Sequence, residues 1–218
     1  MTKELKKRVI TSIILFTLAL LCISINYIVF SIAAVIVLFI CFDEWCEINY
    51  KYFSKKKSPS IFNPYFFVKS IGAFYLVIVF YSSLNLRNEG AAFFIFILCI
   101  CVFSDIGGYI FGKTIGGKRL TKISPNKTIS GSIGSFIFSL APLLLFNYDL
   151  ILKNLLFCLI VSLSCQLGDL IISYFKRLNK VKDTGNILPG HGGLLDRIDG
   201  IIFAIPIVNI LKNYVGFF

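Results

Sequence analysis

The sequence predicts an all-α fold, a polytopic integral membrane helical bundle of about seven transmembrane helices, and three observations carry that reading. Charged residues make up 15% of the chain against about a quarter in an ordinary soluble domain, while 57% is hydrophobic. The mean hydropathy is +0.84. Charges are sparse within the apolar runs and dense at their ends, and the runs are about long enough to cross a ~30 Å hydrocarbon core as helices of roughly 20 residues.

The runs fall at 9–25, 27–42, 66–84, 91–108, 131–147, 153–175 and 200–216. The first follows "MTKELKKR" and reads as a span, not a cleaved signal, because it is long, lacks a small-x-small cleavage site and leads into further spans. Only a polar bend at Asn26 separates it from the second, which leaves one of the two open to a tilted or re-entrant path. The second run ends in "DEWCEINYKYFSKKKSPS" (Asp43–Ser60), an acid-first, base-last loop whose Trp45, Tyr50 and Tyr52 suit headgroup anchors. The fourth enters "SDIGGYIFGKTIGGKRLTKISPNKTISGS" (Ser104–Ser132), rich in Gly, Lys and Ser/Thr. Glycines admit backbone N–H groups to an anion and Lys adds charge, yet "GKTIGGK" lacks the Walker spacing, and a loop gripping lipid headgroups accounts for the composition nearly as well.

The formal charge of +11 is informative through its distribution. If successive loops alternate sides, every Lys and Arg falls on one side except Arg87, Lys153 and Lys212, which by the positive-inside rule puts the N-terminus and the three polar loops in the cytoplasm. A nucleic-acid partner is therefore not expected; basic loops at an anionic leaflet attract headgroups and soluble polyanions. The seven cysteines lie mostly within or at the ends of apolar runs with no CxxC pair, and read as buried free thiols.

Carboxylates within apolar spans cost roughly 2.5–3.5 kcal/mol on insertion scales, so each is a functional candidate. In the sixth run Gln166, Asp169, Ser173 and Lys176 recur at three, four and three residues and share one helical face. A hydrogen-bonding stripe between helices would account for the Gln and Ser but not for an Asp leading to Lys176 and Arg177. Asp105 in the fourth run is a second candidate, with hydration at the span's end as the plainer explanation.

The densest charge is in "KRLNKVKDTGNILPGHGGLLDRIDG" (Lys176–Gly200). Asp183, Asp196 and Asp199 are hard oxygen donors suited to Mg²⁺, which takes one or two carboxylates plus phosphates and water. Lys176, Arg177, Lys182 and Arg197 suit phosphate groups, Arg bidentately. Gly190, Gly192 and Gly193 around His191 permit a tight loop where main chain approaches a ligand. A phosphate-and-metal site is the favoured reading over a solvated charge run. His191 alone reads more simply as a turn-capping residue than as a proton-transfer group.

The stretch "SYFKRLNKVKDTGNILPGHGGLLDRID" (Ser173–Asp199) resembles the signature of the CDP-diacylglycerol synthases, or phosphatidate cytidylyltransferases: Ser-x-apolar-Lys-Arg, four residues, Lys-Asp, then Pro-Gly-His-Gly-Gly, two residues, Asp-Arg-x-Asp. "LKKRVIT", "DEW" at Asp43–Trp45 and Asp105 through "GKTIGGKR" to "SPNKTISG" are similar too. The chain departs in being short, read as fewer or shorter N-terminal spans, and in carrying Ser130 where Glu is expected. The resemblance implies transfer of CMP from CTP to phosphatidic acid in the bilayer, giving CDP-diacylglycerol and pyrophosphate for phospholipid biosynthesis. It also implies Mg²⁺ on carboxylates at Asp169 and Asp196, with a second cation left open, and basic residues around the triphosphate. Asp169, Lys176, Asp183 and Asp196 are then the catalytic set; Ser173, Arg177, Lys182, Arg197, Lys127, His191, Gly192, Gly193, Asp105 and Asp199 bind substrate. It implies a homodimer as well, in a bacterial-type inner membrane with the site facing the cytoplasm. Residues 1–218 read as one membrane domain, with N-terminal spans over 1–90 and a catalytic portion over 91–218. A CTP-dependent kinase of a polyprenol or other lipid alcohol is the alternative, and an ion-coupled transporter a more distant one.

Overall fold

The computed structural model describes residues 3–53, 64–121, 124–125, 127–188 and 192–215, with side chains described outside 3–13, 51–53, 64 and 213–215. Among the described residues there are eight helices: α1 (Lys3–Ile25), α2 (Tyr27–Phe53), α3 (Pro64–Glu89), α4 (Ala91–Thr114), α5 (Ile129–Phe138), α6 (Ala141–Leu145), α7 (Leu152–Leu178) and α8 (Leu195–Val215). No strand is described; Arg119–Thr128 and Leu188–Gly192 form isolated antiparallel bridges. Tyr27–Tyr50, Tyr65–Glu89, Ala91–Thr114 and Leu152–Leu178 are long and apolar enough to cross a membrane. The helical membrane class expected from the sequence is what forms.

The helices follow the apolar runs with one break. The run at 131–147 is two short helices, α5 and α6, because Pro142 in the first turn of α6 has no N–H with which to continue a helix from α5. The chain gathers into two compact units, Met1–Ala91 with Phe175–Ile198, and Ala92–Tyr174 with Asp199–Phe218.

In the first unit α1 and α3 both pack on α2. Asn26 ends α1 and starts α2, its Oδ1 accepting the Val29 N–H at 2.7 Å as a short polar cap does. Trp45 turns inward: its indole N–H donates to the Val68 carbonyl (3.2 Å) and its ring meets Phe175 edge-on.

In the second unit α4 and α5 cross through small residues. A Cβ on Gly134 would lie 2.7 Å from the Gly107 carbonyl oxygen, and one on Gly131 would lie 2.8 Å from that of Gly108, so the two backbones touch. A polar chain links this crossing to α7: the Ser132 hydroxyl donates to Gln166 Oε1 (2.6 Å), Gln166 Nε2 donates to Ser162 Oγ (3.3 Å), and Ser162 shares a hydrogen with Ser104 (2.8 Å). Phe93, Phe96 and Phe157 stack below it, with Phe146 and Tyr148 against Phe96. All seven cysteines are free thiols.

Candidate functional site

Two groups of charged residues form, one in each unit. In the first, α7 ends at Leu178 and the chain turns at Lys180, whose φ is 56°, into the loop 181–194. Lys176 is buried in the last turn of α7 and its ammonium meets Asp196 Oδ1 at 2.7 Å, with 11% and 6% of the two side chains exposed. Asp196 sits in the first turn of α8, where a carboxylate is favoured by the helix's positive end. Its other oxygen, Oδ2, accepts the Thr184 N–H (2.7 Å), the Thr184 hydroxyl (3.0 Å) and the Gly193 N–H (3.1 Å). Asp183 borders the same place: a Cβ on Gly192 would lie 3.0 Å from the Asp183 Cβ and 3.2 Å from Asp196 Oδ2. Gly192 has a φ of 81° and its carbonyl accepts the Leu188 N–H (2.9 Å), so both its conformation and its surroundings require glycine.

Lys182, Asp183 and Asn186 are exposed along a cavity of about 340 Å³ whose other wall holds Glu47. Arg177 is exposed and donates to the Val181 carbonyl (3.2 Å); Arg197 is exposed one residue beyond Asp196. His191 lies outside the described residues.

In the second unit Asp169 Oδ2 pairs with the Lys127 ammonium, and Oδ1 accepts the Ser173 hydroxyl at 3.2 Å. Asp105 lies within electrostatic reach of both Asp169 and Lys127. Lys127 is held by a short ladder across the loop before α5: Leu120 N–H donates to the Lys127 carbonyl (2.7 Å) and Ile129 N–H to that of Lys118 (3.0 Å). Thr128 caps α5 through the Gly131 N–H (3.1 Å), and the Ser130 hydroxyl donates to the Gly116 carbonyl, tying the glycine turn at 116–117 to the helix start. Ser130 thus has a structural task where a Glu was expected. Asp199 is also in this unit, its Oδ1 accepting the Gly200 N–H (2.8 Å) and its carbonyl facing Gly168 of α7.

So the expected residues fall into sets: Lys176, Asp183, Asp196, Gly192 and Gly193 together, and Asp105, Lys127, Asp169 and Ser173 together. Sequence reasoning noted Glu44 only within "DEW" and gave it no role, and it missed Thr184. Glu44 is 1% exposed and its Oε2 accepts the Thr184 hydroxyl (2.8 Å) and the Leu195 N–H (2.8 Å), while Oε1 accepts the Leu194 N–H (2.8 Å). The rule that singled out Asp105 and Asp169, a carboxylate within an apolar helix, applies equally to Glu44 in α2.

A carboxylate oxygen accepts two bonds comfortably, so among the described residues Asp169 keeps an open position on each oxygen and Asp196 keeps one on Oδ1. Each carboxylate, within its own unit, is the kind of donor a hard cation takes one or two at a time, with phosphate oxygens and water completing the shell.

A helical membrane protein with Lys–Asp pairs at glycine-framed loops is the class that fold and site define. The chain belongs to the cytidylyltransferase family, whose model matches residues 66–215. It is 44% identical over 144 residues to a phosphatidate cytidylyltransferase of Staphylococcus saprophyticus, covering 63% of this chain and 55% of that protein. One from Staphylococcus aureus is 46% identical over 143 residues with the same coverage, and one from Staphylococcus haemolyticus 45% identical over 139 residues, 61% of this chain and 52% of that protein. The chain spans about half the length of the curated relatives it matches.

Proposed function

We propose that this protein transfers CMP from CTP to phosphatidic acid: a phosphate oxygen of the lipid forms a bond to the α-phosphorus of CTP, and the bond from that phosphorus to the bridging oxygen of pyrophosphate breaks. The products are CDP-diacylglycerol and pyrophosphate. The observation that carries this reading is the signature segment itself: its Lys and Asp meet as the buried Lys176–Asp196 pair in a chain that matches the cytidylyltransferase family. The staphylococcal relatives, phosphatidate cytidylyltransferases by name, support it.

The nucleophile is already anionic near neutral pH, the second pKa of a phosphomonoester being about 6, so no strong general base is required. The obstacle is bringing two polyanions together, which positioning and charge neutralisation overcome. Lys176, Arg177, Lys182 and Arg197 are assigned to the phosphates, Arg bidentately. Lys127, Ser173, Asp105, Asp199 and the loop around His191, Gly192 and Gly193 are assigned to substrate binding, and Asp183 to the catalytic set. Asp169 and Asp196 would hold Mg²⁺, which when bound neutralises phosphate charge and orients the leaving pyrophosphate. The site is assigned to the cytoplasmic face of a bacterial-type inner membrane, on the distribution of Lys and Arg. The working unit is proposed to be a homodimer.

The test is purified protein in detergent or vesicles with labelled CTP, phosphatidic acid and Mg²⁺, read as lipid-linked CMP. Chelation of the divalent cation should abolish the product. Release of CDP with phosphorylation of a lipid alcohol would identify a kinase instead, and ion flux without CTP turnover a transporter.

A further inference from the structure

We propose that Glu44 is a positioning residue which, acting through the Thr184 hydroxyl, sets the direction of the Asp196 carboxylate. The inference rests on the reading of the reaction given above. It starts from a helix that lacks its own cap. The residues before Leu195 are Gly192, Gly193 and Leu194, none with a side-chain oxygen to satisfy the first N–H groups of α8. Glu44, far away in sequence on α2, takes that place and accepts both the Leu194 and Leu195 N–H at 2.8 Å.

Among the described residues no Lys or Arg lies within ion-pair distance of Glu44, so two amides at the positive end of α8 and one hydroxyl meet its charge. The seat is tight: a Cβ on Gly185 would lie 3.0 Å from Glu44 Oε1. The Thr184 oxygen stands 2.8 Å from Glu44 and 3.0 Å from Asp196 Oδ2, and a hydroxyl has one hydrogen for two carboxylates. Glu44 therefore competes for the donor that would otherwise be given wholly to Asp196. The rest of the Asp196 orientation comes from the Thr184 and Gly193 amides and Lys176. Replacing Glu44 with a neutral amide removes an acceptor from that seat: in either orientation its N–H₂ faces the Leu194 or the Leu195 N–H, and the Thr184 hydroxyl loses the anion that shared its hydrogen with Asp196.

The experiment measures CMP transfer and thermal unfolding for wild type, Glu44→Gln, Thr184→Val, Thr184→Ser and the Glu44→Gln/Thr184→Val double variant. Glu44→Gln and Thr184→Val should each lower kcat about tenfold or more with the KM for CTP little changed, since misplacing a reacting group by about 1 Å costs up to roughly a hundredfold. The double variant should be no slower than the slower single variant, and Thr184→Ser should retain the wild-type kcat. A wild-type kcat in Glu44→Gln overturns the proposal, as do single losses that multiply in the double variant or losses that follow the unfolding temperature and vanish on cooling. If Glu44→Gln does not fold, the Thr184 pair decides: Val as fast as wild type, or Ser as slow as Val, overturns it. Wild-type protein that makes no lipid-linked CMP defeats the reading of the reaction and takes this inference with it.

Discussion

The two Lys–Asp pairs are chemically alike and physically different. Lys176–Asp196 is nearly sealed and its Asp receives three further hydrogen bonds, whereas the side chains of Lys127 and Asp169 are 28% and 32% exposed and Asp169 receives one. A buried pair is expensive to form and more expensive to break, while an exposed one contributes about 0–1 kcal/mol to stability. The signature segment's pair is thus part of the protein's framework as well as of its site. The α7 carboxylate of Asp169 is the less enclosed of the two and the less tightly held.

That contrast can be broken by mutation. The largest effect expected is on Lys176→Met, which strips a buried carboxylate of its cation and should cost roughly 3–5 kcal/mol of stability, read by thermal unfolding of detergent-purified protein. Next comes Asp169→Asn, expected to lower kcat on the order of 10²–10³-fold, the scale for losing a preorganised electrostatic group, while moving stability by less than about 1 kcal/mol. If Asp169→Asn destabilises the fold as much as Lys176→Met does, the distinction between the pairs fails. Gly134→Ala should cost about 1–3 kcal/mol by forcing a methyl against the Gly107 carbonyl and Phe111, again by unfolding. The smallest effect is expected for Ser130→Ala, about 0.5–1.5 kcal/mol for losing the hydrogen bond to the Gly116 carbonyl, read by thermal unfolding.

Much of this was legible in the chain. Asp169 stands out because charge is costly in an apolar environment, and Lys176 and Asp196 because the signature fixes their spacing. The helices follow the apolar runs, and α8 begins at Leu195, ahead of the run at 200, because its first turn is polar and capped from elsewhere. What was not legible depends on contacts between distant segments. Nothing near Glu44 announces that it caps a helix 151 positions later, and Thr184 is one hydroxyl in a loop where Ser, Thr and Asn are ordinary. The partners of Trp45, Phe175 and the α3 backbone, are likewise chosen by tertiary structure and not by period or composition. The interruption of the fifth run needed only Pro142 to be weighed more heavily.

The crossing of α4 and α5 has a further consequence for how this protein can change. Where backbones touch at Gly107, Gly108, Gly131 and Gly134, no side chain can be trimmed or enlarged by small steps to alter the spacing. The helix separation is an all-or-none length. Lys118 and Arg119, exposed on the chain that follows α4, have no such restriction. Change at this end of the unit would therefore run through Lys118 and Arg119, with the distance between the helices held constant.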